Sequence, residues 1–327
     1  MMGIVCQPMK LRYVSWLMII VSLSFCPCLH CDELQPPDAD RDVQAAPPLP
    51  STGVRPERMD PEDEIKAYLV RILGEKGLEP GYARVLVEDP RLVFDPGFIL
   101  KNLRTAPPKA SPKTPGIMEY DPVYVTRGRD FMETYREQLR IIEERFGTSP
   151  EIITSILIVE TRLGTYPLKY RAMRVFANMT LAQDPVFIAS LEGHYSALSR
   201  LLKEEETLKA ATAKAKWASG ELYELIVLAG SLGLDPHEII GSVSGALGPA
   251  QFIPSTFRKY GVDGNGDGRK DPFDMADAMA SIGSYLSTSG WREGADEQRL
   301  RTAIWRYNHS DIYVNTILKL YRELSDT

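Results

Sequence analysis

The sequence predicts a mainly α-helical protein. Apolar residues recur at helical spacing through most of the chain after residue 60, and convincing alternating strand patterns are scarce. With 327 residues the chain can bury a real core, as one large domain or two modest ones.

Residues 1–31 read as a signal peptide. Lys10 and Arg12 precede an apolar run from Val14 to Phe25, about the length of a signal-peptide core and too short to span a bilayer comfortably; a short membrane anchor is the alternative. All four cysteines, Cys6, Cys26, Cys28 and Cys31, fall in this segment, so the body has no disulfide framework or thiolate metal site. A lipid-attachment cysteine needs a small residue before it. Phe25 precedes Cys26 and His30 precedes Cys31, so lipid anchoring has little support. Residues 32–59 form a linker rich in Pro, Asp and Ala, too poor in large apolar residues to fold alone.

Residues 60–125 form an N-terminal helical region. Asp60 caps a helix with Pro61 in its first turn, and Ile65, Leu69, Ile72 and Leu73 share one face. A short helix over Tyr82–Val87 follows, then a loop with Pro107, Pro108, Pro112 and Pro115. Residues 126–327 form the main domain. Phe131, Tyr135, Leu139, Ile142 and Phe146 make a stripe that Gly147 terminates. Ser149 caps the next helix, with Pro150 in its first turn; this helix carries Ile152, Ile153, Ile156, Leu157, Val159 and Glu160 and ends at Gly164. Further helices are expected over Val186–Lys203, Ser219–Leu232, Met275–Ser287 and Ile312–Leu324. There is no internal repeat.

A net charge of −6 supplies no basic field for nucleic acid, and an acidic protein can still hold an uncharged sugar by hydrogen bonds and stacking. Phosphate loop, dinucleotide fingerprint and nucleophile elbow are absent. His194, His237 and His309 lack metal-ligand spacing. The segment Asp263-Gly-Asn265-Gly-Asp267-Gly-Arg269-Lys-Asp271 matches the start of an EF-hand loop. Asp263, Asn265 and Asp267 would offer side-chain oxygens, and Arg269 its carbonyl. Asp274 stands where the bidentate Glu usually is, with Asp277 three residues on. A solvated Asp/Gly turn is the alternative.

Glu160 follows four apolar residues at the end of its helix, where the helix dipole disfavours an anion and partial burial favours the proton. Both would keep a proton on it near neutral pH, as a general acid requires. The alternative is a surface charge paired with Arg162. In Gly245-Ala-Leu-Gly248-Pro-Ala-Gln251 the glycines permit close backbone approach to a ligand and Gln251 offers a donor and an acceptor; a plain loop entering a helix explains the stretch equally well. Tyr307-Asn308-His309 suits glycan binding, weakly on its own.

Val159-Glu-Thr-Arg-Leu-Gly164, Gly245 to Phe257, the Asp263 loop, Gly290-Trp291 and Arg306-Tyr-Asn-His-Ser310 occur in this order. Together they resemble the membrane-bound lytic murein transglycosylase B family, from about Phe131 to Leu318 and more loosely from Asp60. The resemblance implies a lysozyme-like helical core with an N-terminal helical extension and an embedded EF-hand-like loop. It puts the catalytic acid on Glu160 and glycan contacts on Ser242, Gln251, Tyr285, Tyr307 and Asn308. It also implies a structural Ca2+ on Asp263, Asn265, Asp267, Arg269 and, as last carboxylate of a longer loop, Asp277; catalysis needs no cofactor. One departure stands out. Family members carry a long insertion between the Gly-Trp and Tyr-Asn-His motifs, and here a short segment joins Gly290 to Trp305.

The implied activity is cleavage of peptidoglycan strands with formation of a 1,6-anhydro end by one carboxyl, since no second carboxylate has a comparable apolar setting. A goose-type lysozyme hydrolase and a non-catalytic peptidoglycan-binding scaffold are the alternatives. The expected partner is the glycan strand, with a cell-wall synthesis or remodelling complex open. The chain is expected to be monomeric and to act in the periplasm or cell envelope.

Overall fold

The computed structural model describes residues 60–95, 97–103, 116–194, 200, 202–292 and 294–326. The signal-peptide, linker and proline-loop readings fall on residues 1–59 and 104–115, outside the described residues.

The fold is mainly helical, as expected. Helices α1 (Pro61–Glu75), α2 (Pro80–Glu88) and α3 (Gly97–Leu103) come first. Asp60 caps α1 by accepting the Glu62 N–H at 2.8 Å, and Ile65, Leu69 and Leu73 are buried. Helices α4 (Val123–Thr134), α5 (Arg136–Phe146) and α6 (Pro150–Thr161) follow. The single stripe expected across Phe131–Phe146 is two helices that break at Tyr135, while Gly147 ends α5 in the left-handed conformation with φ 63°. Ser149 occupies the cap position of α6, but its hydroxyl is buried without a partner among the described residues.

The chain continues through α7 (Ala172–Thr180), α8 (Pro185–His194), α9 (Glu205–Leu232), α10 (Pro254–Tyr260), α11 (Met275–Thr288), α12 (Glu297–Tyr307) and α13 (Asp311–Ser325). A two-stranded antiparallel sheet pairs β1 (Tyr170–Arg171) with β2 (Ile240–Gly241). Helix α9 begins well before the expected Ser219. Its first half buries Ala211, Ala215 and Ala218, small residues that favour helix yet give little hydrophobic contrast. Helix α7 is buried along its length except at Arg174, with even Asn178 and Thr180 buried, so it has no continuous polar face for a periodic pattern.

Two hydrophobic clusters hold the molecule together. The first joins α1, α2 and α3 to α7, α8 and α9. The second joins α4, α5 and α6 to α10, α11, α12 and α13. The N-terminal helices therefore share a core with residues 172–229, and the cores do not divide at the expected 125/126 boundary. Leu247 is buried in the first cluster, and Ala250 and Phe252 in the second, so the Gly245–Phe252 loop spans both. Among the described residues no helix is long and apolar enough to cross a membrane.

Candidate active site

Helix α6 is apolar on nearly every side, with Ile152 to Ile158 all buried. Glu160 lies in its last turn. After Thr161 the backbone turns left-handed at Arg162, Leu163 and Gly164, with φ 53°, 60° and 79°. The turn closes with Arg162 N–H donating to Ile158 O and Leu163 N–H to Leu157 O. Left-handed backbone at two non-glycine residues is strained, and such strain gathers at functional sites. Arg162, offered by the sequence as an ion-pair partner, sets its guanidinium over the rings of Tyr124 and Tyr166.

The Glu160 carboxyl has one hydrogen-bond partner among the described residues. The Tyr313 hydroxyl, from the first turn of α13, donates to Oε1 at 2.8 Å. Burial pushes the carboxyl up to about 7, with the Tyr313 bond pulling the other way. Tyr313 is 1% exposed and its own ionisation is driven far upward by burial and by Glu160, so it stays a neutral donor.

Other buried carboxylates exist, which corrects the expectation that no second one has an apolar setting. Glu221 is 3% exposed and shifted upward by burial. It accepts the Ser255 hydroxyl at 2.6 Å and the Ser255 N–H at 2.9 Å, which fastens α10 to α9. Asp184 accepts the Phe187 N–H at the start of α8. Asp277 accepts the N–H groups of Gly264 and Asp271. Each is engaged in holding backbone.

An aromatic row extends from Glu160. The Tyr313 ring stacks on Tyr307 at 6.4 Å; Tyr307 meets Tyr285 at 5.1 Å and Phe252 at 5.3 Å. The Tyr307 hydroxyl donates to Ala250 O at 2.6 Å, and the Tyr285 hydroxyl donates to Arg306 O. Gln251 adjoins Ala250 in left-handed backbone, φ 53°; its Nε2 donates to Gly248 O at 2.9 Å and its Oε1 stays uncommitted among the described residues. Asn308 follows Tyr307 and is 2% exposed, and its Oδ1 is an acceptor without a partner among the described residues. A buried acceptor of this kind is costly unless a ligand supplies the donor. Tyr307 and Tyr285 thus continue the ring contacts that start at Tyr313, the partner of Glu160, and Gln251 and Asn308 are chain neighbours of Ala250 and Tyr307 in that row. Ser242 lies in the turn that precedes the Gly245–Phe252 loop. Its hydroxyl accepts from the Ser244 and Ala246 N–H groups and shapes the turn before Gly245.

Two contacts went unforeseen. Tyr313 lacked any local signal, being one apolar position of an amphipathic helix. Thr161 sends its hydroxyl to Pro249 O at 2.9 Å and accepts the Gly164 N–H at 3.0 Å, tying the end of α6 to the Gly248–Gln251 loop.

In the Asp263 loop, Gly266 and Gly268 take positive φ, 77° and 85°. Asp263 accepts the N–H groups of Gly266 and Gly268, Asn265 that of Asp267, and Asp267 that of Arg269. Asp277 is 1% exposed, so its carboxylate is buried at the base of the loop. The donors are all oxygen, which fits a hard cation. With side-chain oxygens turned onto loop N–H groups, no three or more Asp, Glu, His or Cys side chains among the described residues stand together as a ready metal cluster.

Residues 117–301 match a family described as transglycosylase SLT domain. The chain belongs to this family. Membrane-bound lytic murein transglycosylase B of Escherichia coli (strain K12) is 31% identical to this SLT-domain chain over 173 residues, 53% of the chain and 40% of that relative. The chain thus spans less than half the relative's length. Soluble lytic transglycosylase SltB1 from Pseudomonas aeruginosa superposes with a TM-score of 0.61 at 23% identity, covering 80% of this chain and 98% of that one. Escherichia coli lytic transglycosylase Slt35, in a complex with calcium, gives a TM-score of 0.58 at 21% identity over 81% and 92% of the two chains. These neighbours share the SLT-domain fold. The family segment stops at residue 301, so Tyr307, Asn308 and Tyr313 lie beyond it.

Proposed function

We propose that this chain is a lytic transglycosylase. It cleaves the β-1,4 bond between N-acetylmuramic acid and N-acetylglucosamine of peptidoglycan and leaves a 1,6-anhydro end. The observation that carries this is the Glu160 carboxyl, half-buried at a helix end, held by Tyr313, and poised to exchange its proton at about pH 7. The name of the Escherichia coli relative, a lytic murein transglycosylase, supports the choice of substrate.

Glu160 donates its proton to the glycosidic oxygen as the bond from that oxygen to C1 breaks. The substrate's own N-acetyl oxygen steadies the charge at C1. Glu160, now an anion that accepts the Tyr313 O–H, takes the proton of the C6 hydroxyl as that oxygen bonds to C1. Glu160 ends protonated and no water is consumed. A water-consuming glycosidase uses two carboxylates. Here the other buried carboxylates named above are fastened to backbone, which favours the one-carboxyl route.

The test is digestion of purified cell-wall sacculi by wild type and Glu160→Gln. Wild type is expected to release anhydro-ended muropeptides, and the variant to be slower by about 10⁴-fold, the upper end for a single acid–base group because here it serves both proton transfers. Release of reducing ends alone would make the protein a hydrolase, and an unimpaired variant would remove Glu160 from the chemistry.

The Asp263 loop we assign to a structural calcium, with Asp263, Asn265, Asp267, the Arg269 carbonyl and Asp277 as its oxygen donors. The calcium complex of Slt35 supports this choice of ion. Action in the cell envelope follows from the substrate.

A further inference from the structure

From Ser242 to Phe252 the chain folds back on itself. The Ser242 N–H donates to Ala246 O at 2.8 Å, the Gly245 N–H to Ser242 O at 2.9 Å and the Leu247 N–H to Phe252 O at 2.8 Å. One part of this loop is tied at Thr161, the chain neighbour of Glu160, whose hydroxyl donates to Pro249 O. The turn at its other end, Val243 and Ser244, is gripped by Asn102 of α3. The Asn102 side chain uses both halves of its amide there. Its Nδ2 donates to Val243 O at 3.3 Å and to Phe98 O at 2.9 Å, and its Oδ1 accepts the Ser244 hydroxyl at 3.0 Å. The residue is 2% exposed, and its own carbonyl accepts the Lys214 ammonium from α9. Next in the turn, Gly245 abuts α7 so closely that a Cβ would lie 2.2 Å from the Phe176 ring. Residue 102 stands before the family segment, which begins at residue 117.

We propose that Asn102 is a positioning residue for glycan binding. From outside the SLT-domain segment it holds the turn that carries Ser242 and leads to Gln251 in the shape that receives the strand. The proposal rests on the peptidoglycan reading above. An Asn that only closed the end of α3 would need the Phe98 bond alone; the bonds to Val243 and Ser244 reach 141 and 142 residues along the chain. A side-chain amide suits this grip because it donates to a carbonyl and accepts from a hydroxyl at once. Two neutral hydrogen bonds suffice to bias the turn toward one shape by about tenfold or more. Once the turn is released, the apparent affinity for the strand falls with the fraction of time that shape is kept.

Steady-state cleavage of soluble glycan strands by Asn102→Ala, Ser244→Ala and the double variant tests this. Ile99→Ala is the control: Ile99 is 2% exposed on the same helix, and its loss loosens α3 without removing a bond to the turn. Asn102→Ala should raise KM about tenfold, keep kcat within about twofold, and leave the alkaline limb of the pH profile where wild type has it. Ser244→Ala should raise KM less, a result that stands alone should Asn102→Ala fail to fold. The double variant should match Asn102→Ala, because both changes cut one linkage. Ile99→Ala should lower the melting temperature and leave KM unchanged. Additive effects on KM, an equal rise in Ile99→Ala, no rise at all, or a fall in kcat at unchanged KM would overturn the positioning role. Calorimetry of strand binding to the Glu160→Gln protein keeps the substrate reading separate. Binding that Asn102→Ala weakens by the same factor as KM supports the role; no binding to Glu160→Gln fells the substrate reading, and the role with it.

Discussion

At Glu160 two influences act on one carboxyl in opposite senses. Burial favours the proton and the Tyr313 O–H favours the anion; burial prevails and leaves the group at about 7. A general acid must be protonated in the free enzyme, so kcat/KM should fall as pH rises through about 7. Tyr313→Phe keeps the packing and removes the bond that lowers this value. Its alkaline limb should move up by roughly one pH unit and kcat should drop about tenfold, the scale of a hydrogen bond to a charged group. A pH–rate profile reads both, and an unmoved limb would mean the bond does not act on Glu160. Part of this was legible in sequence. The apolar run ahead of Glu160 announced its partial burial, and its place at the helix end announced an unhelped anion. Tyr313 was not legible, because its partner stands 153 residues away and nothing around it departs from an ordinary helix face. Ser242 illustrates the converse: the family resemblance marked the residue, and the structure adds that its hydroxyl oxygen accepts two N–H groups of its own turn.

Among the elements, caps and turns were the most readable. Asp60 and Gly147 each stand at the helix end their chemistry suggests. Helix α7 and the alanine-rich start of α9 were hidden because full burial and small side chains erase the polar–apolar contrast that periodicity needs. The glycines of the Gly245–Phe252 loop were expected to let backbone approach a ligand; at Gly248 the close neighbour is the protein itself. A Cβ there would sit 1.8 Å from Pro272 O, at φ 61°. Gly147 has a similar φ of 63° with open space around it. Gly147→Ala should therefore cost about 1 kcal/mol, the left-handed penalty alone, whereas Gly248→Ala should cost about 3 kcal/mol or more. Denaturant unfolding of the two variants makes the comparison; equal losses would mean the Pro272 segment simply yields.

At the scale of the molecule, Pro272 is the junction between the Gly245–Phe252 loop and the Asp263 loop, since the same short stretch that Gly248 abuts leads into α11. A cation held only by the folded state stabilises it by mass action, so calcium should raise the melting temperature, by several degrees at saturating concentration. Asp263→Ala with Asp267→Ala should abolish the increment and leave a folded protein, and a calcium response that survives the double change removes the loop as the site. The sequence conveyed the helical class and the order of the motifs, but not that residues 60–103 complete a core with α7, α8 and α9. Such long-range packing leaves no local mark. One consequence concerns how the molecule comes apart. Leu247 is fully enclosed in one core, Phe252 is buried in the other, and the Leu247 N–H donates to Phe252 O at 2.8 Å. Neither core can open independently without breaking that bond, so the Leu247 amide should exchange with deuterated solvent only through global unfolding, as slowly as amides at the centre of α6. Faster exchange at Leu247 than at Ile156 would reveal two separately melting halves; equal protection makes the Gly245–Phe252 loop the clasp that gives the protein a single unfolding transition.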